Sequence, residues 1–258
     1  MSPVVDLQRR LRELGRIRMG EQRVSSRGKS YPAALDRFRF TSPSRGILDG
    51  MVATVGGQVR EWQDAPGEAP QWELYSDASE IVAACPPVEE PYSQWYELWS
   101  AAGCQRRCNG ERATVAVQQG DQVVMRERSC LCNPDERECK LTTRASVILP
   151  WAPGIGGWRI EGHGYNMAVE FTGTLAFLAM QARQGIWSEF RIRLDQRRKR
   201  VPGQPEMQFV VPVIETDATP AQLMSGQASV PTVELPATPS RPAIPAGDPA
   251  PSGQSAAF

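Results

Sequence analysis

Five of the six cysteines in this 258-residue chain fall within one 36-residue stretch: Cys104 and Cys108, then Cys130, Cys132 and Cys139. Thiolates gather in this way when a soft or borderline metal must hold together a segment too small to build its own core. Zinc takes four such ligands in a tetrahedron, at about 2.3 Å from each sulfur. Cys104 and Cys108 stand four residues apart, so on a helical turn they would share a face. Cys130 and Cys132 point the same way if that stretch is extended. Cys139 closes the set after the polar turn NPDERE. Five candidates for four positions leave one spare, and the spacing does not name it. An iron–sulfur cluster takes the same four thiolates and is the competing centre, and unmetallated buried thiols are the third reading. Cys85, in AACPP, reads as an ordinary core residue.

Other chemistry is harder to place. His163 is the one histidine, and in EGHGYN it reads as a turn or capping residue ahead of a helix. GIGG at 154–157 lacks the strand-to-helix setting of a dinucleotide fingerprint, and the chain has no P-loop. No catalytic constellation emerges, so the expectation is a protein that is not an enzyme and has no small-molecule substrate. Lysines plus arginines number 29, as do aspartates plus glutamates. A neutral molecule has no long-range pull on nucleic acid, so independent sequence-specific DNA binding is not expected. No apolar run reaches membrane-spanning length and no secretory leader is recognisable, which predicts a cytoplasmic protein. In that reducing setting the cysteines point to metal or free thiols, not disulfides.

The elements that must position these residues suggest an α+β fold, with mixed or antiparallel sheets, a few helices, a cysteine-rich zinc-binding insertion and a disordered tail. Residues 1–34 read as a basic arm: Leu7, Leu11 and Leu14 predict a short helix ending at Gly15, and 16–23 alternate as an exposed strand. Residues 35–100 form an N-terminal α+β half. In it LDRFRFT (35–41) is a half-buried strand, Ser42-Pro43 opens a helix that Gly56-Gly57 ends, and strands follow around Val59–Trp62, 71–76 and 79–84. Residues 101–141 are the cysteine module.

Residues 142–216 form a C-terminal α+β half with strands at 144–149 and 157–161 and a long buried helix over 165–183. Its last two strands, 186–194 and 207–214, are joined by a basic tip. From 217 to 258 the chain turns Pro/Ala-rich: eight of 22 prolines lie there. A short helix at 219–224 is expected, and the remainder cannot offset its ordering entropy.

The stretches LRELGRIRMGE (11–21), LDRFRFTSPSR (35–45), PYSQWYELWSAAGCQRRCNG (91–110), CLCNPDERECKLTTRASVILP (130–150), GGWRIEGHGYNMAVE (156–170) and PEMQFVVPVIE (205–215) resemble, in order and spacing, the recombination directionality factors of actinophage large serine integrases. The likeness runs from about residue 5 to 216. The insertion-like stretch 112–125 is its one departure, and it bears on loop geometry there. The resemblance implies a protein partner, the DNA-bound integrase, which such a factor switches from integration to excision by recombination of the hybrid attL and attR sites. A partner contact is expected on the basic N-terminal segment, with eight Arg/Lys in the first 30 residues, or on the tip formed by Arg197, Arg198, Lys199 and Arg200. The alternative is a zinc-containing single-strand nucleic-acid binder or replication accessory protein, its bases stacked on Trp95, Tyr96 and Trp99 beside Arg106 and Arg107.

Overall fold

The computed structural model describes residues 11–63, 69–130, 132–133, 136–200, 203 and 206–225. The first part of the expected N-terminal helix and nearly all of the expected disordered tail lie outside them. Two long strands open the chain, β1 (Glu13–Val24) and β2 (Ser30–Ser42). The helix expected up to Gly15 is therefore not formed at its C-terminal end. Leu14 and Ile17 are buried instead as strand residues. Both edges of this segment are taken, by β2 on one side and by a later strand on the other. Tertiary pairing thus overrides the helical spacing of the leucines. Gly15 permits the close approach: a Cβ there would collide with the Thr41 carbonyl oxygen and sit 2.6 Å from the Trp158 ring.

The strand read over 35–41 is present, with Phe38 and Phe40 wholly buried. Its alternation breaks because the β1–β2 register shifts between Arg18 and Gly20. Leu35 is buried although it shares parity with exposed Arg37, and Arg39 is buried too. Helix α1 (Arg45–Val55) follows and buries Leu48, Met51 and Val55. Its N-cap is Ser44, two residues later than expected. Ser42 instead ties the helix entry to β1. Its hydroxyl donates to the Leu14 carbonyl at 2.7 Å and accepts the Ser44 N–H at 3.1 Å. Gly56 ends the helix at φ 68°, where a side chain would be strained.

The remaining strands are β3 (Gln58–Glu61), β4 (Trp72–Tyr75), β5 (Glu80–Ala84), β6 (Tyr92–Ser100), β7 (Gly103–Cys108), β8 (Arg112–Gln119), β9 (Gln122–Ser129), β10 (Lys140–Val147), β11 (Gly157–Gly162), β12 (Glu189–Lys199) and β13 (Met207–Glu215). Ten of the thirteen form one sheet in the order β3-β4-β2-β1-β11-β10-β6-β7-β8-β9, and β13-β12-β5 form a second. Only β1 and β11 pair in parallel among the described ladders; the others are antiparallel. This is a mostly β, α+β architecture. The cysteine segment supplies β7, β8 and β9 to the main sheet, and the insertion-like stretch is the β8–β9 hairpin.

The helix expected over 165–183 is present and unbroken, with a π-helical turn (Met167–Phe171) leading into helix α2 (Thr172–Arg183). The Ala168 carbonyl accepts both the Thr172 hydroxyl, at 2.6 Å, and the Gln94 amide from β6. An outside donor on that carbonyl favours the wider turn. Helix α3 (Pro220–Ser225) ends the described chain.

One core joins these layers. Ile17, Phe40, Ala145, Trp158 and Ile160 from the main sheet meet Leu48 and Met51 of α1, Leu175 and Leu178 of α2, and Ile192 of β12. Phe40 packs edge-on against Trp158 and Trp151, with ring centroids 5.8 and 6.2 Å away. Among the described residues, no helix is long and apolar enough to cross a membrane.

Candidate functional site

Cys104 and Cys108 lie on strand β7, not on a helical turn. The β6–β7 register pairs Tyr96 with Cys108 and Leu98 with Arg106, then shifts and pairs Trp99 with Cys104. That bulge turns Cys104 to the opposite face of the sheet from Cys108. Three strand ends then meet around Cys108: β7 ends on it, Cys130 directly follows β9, and Cys139 directly precedes β10. The sulfurs of Cys108 and Cys130 are 3.7 Å apart. Cys132 interacts with both Cys130 and Cys139. Cys104 is instead turned to the Arg106 carbonyl, 3.5 Å away.

Two arginines that the sequence did not single out as companions flank this cluster. Arg106 Nη1 donates to Cys132 Sγ at 3.1 Å and stands 3.9 Å from Cys139 Sγ. Arg137 stacks on Tyr96 at 4.2 Å. Its Nε and Nη1 are buried without a hydrogen-bond acceptor among the described residues. Among the described residues, a small apolar cluster of Cys108, Ala113 and Val115, with Tyr96 and Cys130 against it, lies around these groups. Among the described residues, no three Cys, His, Asp or Glu side chains form a finished metal-binding set. Cys85 is apart from all of this, in the main core, where burial pushes its thiol up to about 12.

The other face of the same sheet is polar. The registers place Arg16, Arg18, Arg39, Arg107, Arg144 and Arg159 on it, with Glu73, Glu97 and Glu161 among them. Arg39 pairs with Glu73 at 2.5 Å, both nearly buried, and Arg60 reaches the same carboxylate at 2.7 Å. Glu97, fully buried, accepts two bonds from Arg144 (2.8 and 2.7 Å), one from Arg107 (2.9 Å) and one from Trp99 Nε1 (2.9 Å). Burial alone would raise the Glu97 pKa, but those donors and charges outweigh it and hold it down to about 2. Arg18 bonds Thr41 Oγ1 at 3.1 Å and lies over Trp62. Burial, then repulsion from Arg16 and Arg39, lowers its pKa to about 10. An open cleft of about 1190 Å³ is lined by Arg16, Arg107, Arg144, Arg159, Trp95 and Trp99 among others. The sequence signal for this face is the charge alternation in RIR, FRF and WRIEG, which reads locally as solvent exposure.

The residues named for single-strand stacking do not share a surface. Trp95, Trp99 and Arg107 are on the polar face, while Tyr96 and Arg106 are on the cysteine face. His163 sits just ahead of the helical segment, its Nδ1 3.2 Å from Thr142 Oγ1. At the β12–β13 hairpin, Arg197 is committed within the molecule: it grips Glu170 with two bonds (2.8 and 2.7 Å) and Asp195 with a third (2.9 Å). Arg198 and Lys199 are exposed, and exposed Arg200 stands 3.7 Å from Glu206.

A search of curated proteins and of solved structures finds no match. A family model described as Gp3-like, recombination directionality factor-like, matches residues 14–217, from the first strand to just past the last. The chain belongs to this Gp3-like, recombination directionality factor-like family.

Proposed function

We propose that the protein binds a large serine integrase on its attachment-site DNA and switches it from integration to excision. The observation that carries this reading is the family match across nearly the whole described chain. Such a regulator needs no chemistry of its own. A factor that favours one synaptic geometry over another by about 3 kcal/mol changes their ratio about a hundredfold. The balanced charge, 29 basic against 29 acidic residues, suits a reader of a protein better than a reader of bare DNA. Tyr96 and Arg106 lie on the opposite face from Trp95, Trp99 and Arg107, so the five do not make one stacking platform, and bare single-strand binding is decided by the assay below.

The test is recombination in vitro with purified cognate integrase. The protein should enable attL × attR recombination, inhibit the integrative reaction and show no sequence-specific affinity for DNA alone. A negative excision assay, joined with tight binding of single strands by the protein alone, would replace this reading with the accessory-protein one.

The exposed Arg198 and Lys199 are the hairpin residues best placed to steer a partner. Arg198→Glu with Lys199→Glu should weaken integrase association, measured by interferometry, while leaving the melting temperature unchanged. Arg197 is a poor choice for this experiment, because its reversal also breaks the Glu170 and Asp195 pairs. Unaltered affinity in the Arg198/Lys199 variant would move the contact elsewhere.

A further inference from the structure

We propose that Cys108, Cys130, Cys132 and Cys139, and not Cys104, hold one zinc ion as a tetrathiolate, with Arg106 and Arg137 as its counter-charges. The inference is independent of the partner-binding reading.

Distance is the first support. Two sulfurs each about 2.3 Å from a shared tetrahedral zinc stand about 3.8 Å apart. Cys108 and Cys130 are separated by 3.7 Å, far beyond the roughly 2.05 Å of a disulfide. The other two thiols share one neighbour, Arg106 Nη1, at 3.1 Å from Cys132 and 3.9 Å from Cys139, and Cys132 also interacts with Cys130. The four sulfurs thus gather where the ends of β7, β9 and β10 meet.

Charge is the second. Four thiolates around a divalent zinc leave a net charge of −2, which a half-buried site must neutralise. The two guanidinium groups beside the cluster supply that charge. Arg106 aims Nη1 at Cys132 and Cys139, and a neutral thiol is only a weak acceptor whereas a thiolate is a strong one. Arg137 carries buried N–H groups with no acceptor among the described residues, an arrangement that a neighbouring anionic centre makes intelligible.

Size is the third. Among the described residues, the buried apolar cluster under the β7–β8–β9 extension is Cys108, Ala113 and Val115, so a metal would supply the stabilisation that a larger core supplies elsewhere. Cys104 is excluded by the bulge that turns it to the polar face.

The full-length protein, purified without added metal, should contain about one zinc per chain by elemental analysis. Cys104→Ser should keep it, and Cys108→Ser or Cys139→Ser should lose it. Because the latter two variants risk unfolding, cobalt exchange into wild type and Cys104→Ser gives a second measurement. Both should show the same intense visible bands of a tetrahedral four-sulfur site. Arg106→Gln should retain the stoichiometry but weaken zinc about tenfold in chelator competition. Metal of every kind well below stoichiometry, iron with acid-labile sulfide, a Cys108–Cys130 disulfide in the unreduced protein, or loss of zinc from Cys104→Ser would each overturn the proposal. Unchanged zinc affinity in Arg106→Gln would overturn the counter-charge assignment.

Discussion

Replacing Glu97 by Gln is expected to destabilise the protein by about 3 kcal/mol at pH 7, toward the lower end of the range for breaking a buried ion pair. The carboxylate is fully buried and holds Arg144 and Arg107 together with the Trp99 indole. A neutral amide of the same shape offers one acceptor oxygen to donors that now use two. Arg144 is 19% exposed and Arg107 42%, so water relieves part of the loss. The pH dependence follows from the depressed Glu97 pKa. Its folded value of about 2 lies below the ordinary glutamate value of about 4.3. The stabilisation is therefore present in full above about pH 4.3 and is lost as pH falls through about 2, amounting to roughly 2–3 kcal/mol. Urea denaturation at pH 7 and at pH 3 checks both parts. The gap between wild type and Glu97→Gln should narrow at pH 3, and an equal gap at both would show that an ionised Glu97 is not the group responsible.

Trp158→Ala should cost about 3–5 kcal/mol, the usual range for emptying a buried aromatic site. Trp158 is 1% exposed and its ring meets Phe40 edge-on. It also lies against the bare backbone of Gly15, so it packs the one parallel seam of the sheet from above. Neighbouring groups cannot collapse into the vacated space without moving β1 or β11. A melting temperature lower by roughly 10 °C is expected for a chain of this size. Trp158→Phe, which keeps an aromatic contact with Phe40, should lose much less. Calorimetry of the two variants tests this, and equal losses would mean that the indole does not fill the seam as described.

How much of the fold is readable depends on the range of the interactions that decide each element. Helix α1 and the β12–β13 hairpin carry their own periodicity and stop signals, so local reading finds them. Leu14 misleads because leucine spacing is local, while its pairing with residues near Gly157 is not. The polar face escapes local reading for the same reason. Arg39 and Arg144 look like solvated charges until the folded sheet brings Glu73 and Glu97 to them. At the cysteines, spacing gathers five candidates but cannot rank them. The bulge opposite Trp99 separates Cys104 from the others, and bulges have no strong signature in GCQRRC itself.

The β1–β11 seam also governs the order in which the molecule can assemble. Strand β1 is the first described element to leave the ribosome, yet its second edge finds a partner only when residues 157–160 have emerged. Until then β1 and β2 form a hairpin with one long open edge, a surface that invites pairing with other chains. Closing the sheet requires a loop that spans most of the chain, which makes the topology slow to fold for its size. Refolding from urea should consequently be limited by this closure, with the β8–β9 hairpin, whose contacts are all near in sequence, protected from hydrogen exchange well before Ile17 and Ile160 acquire protection.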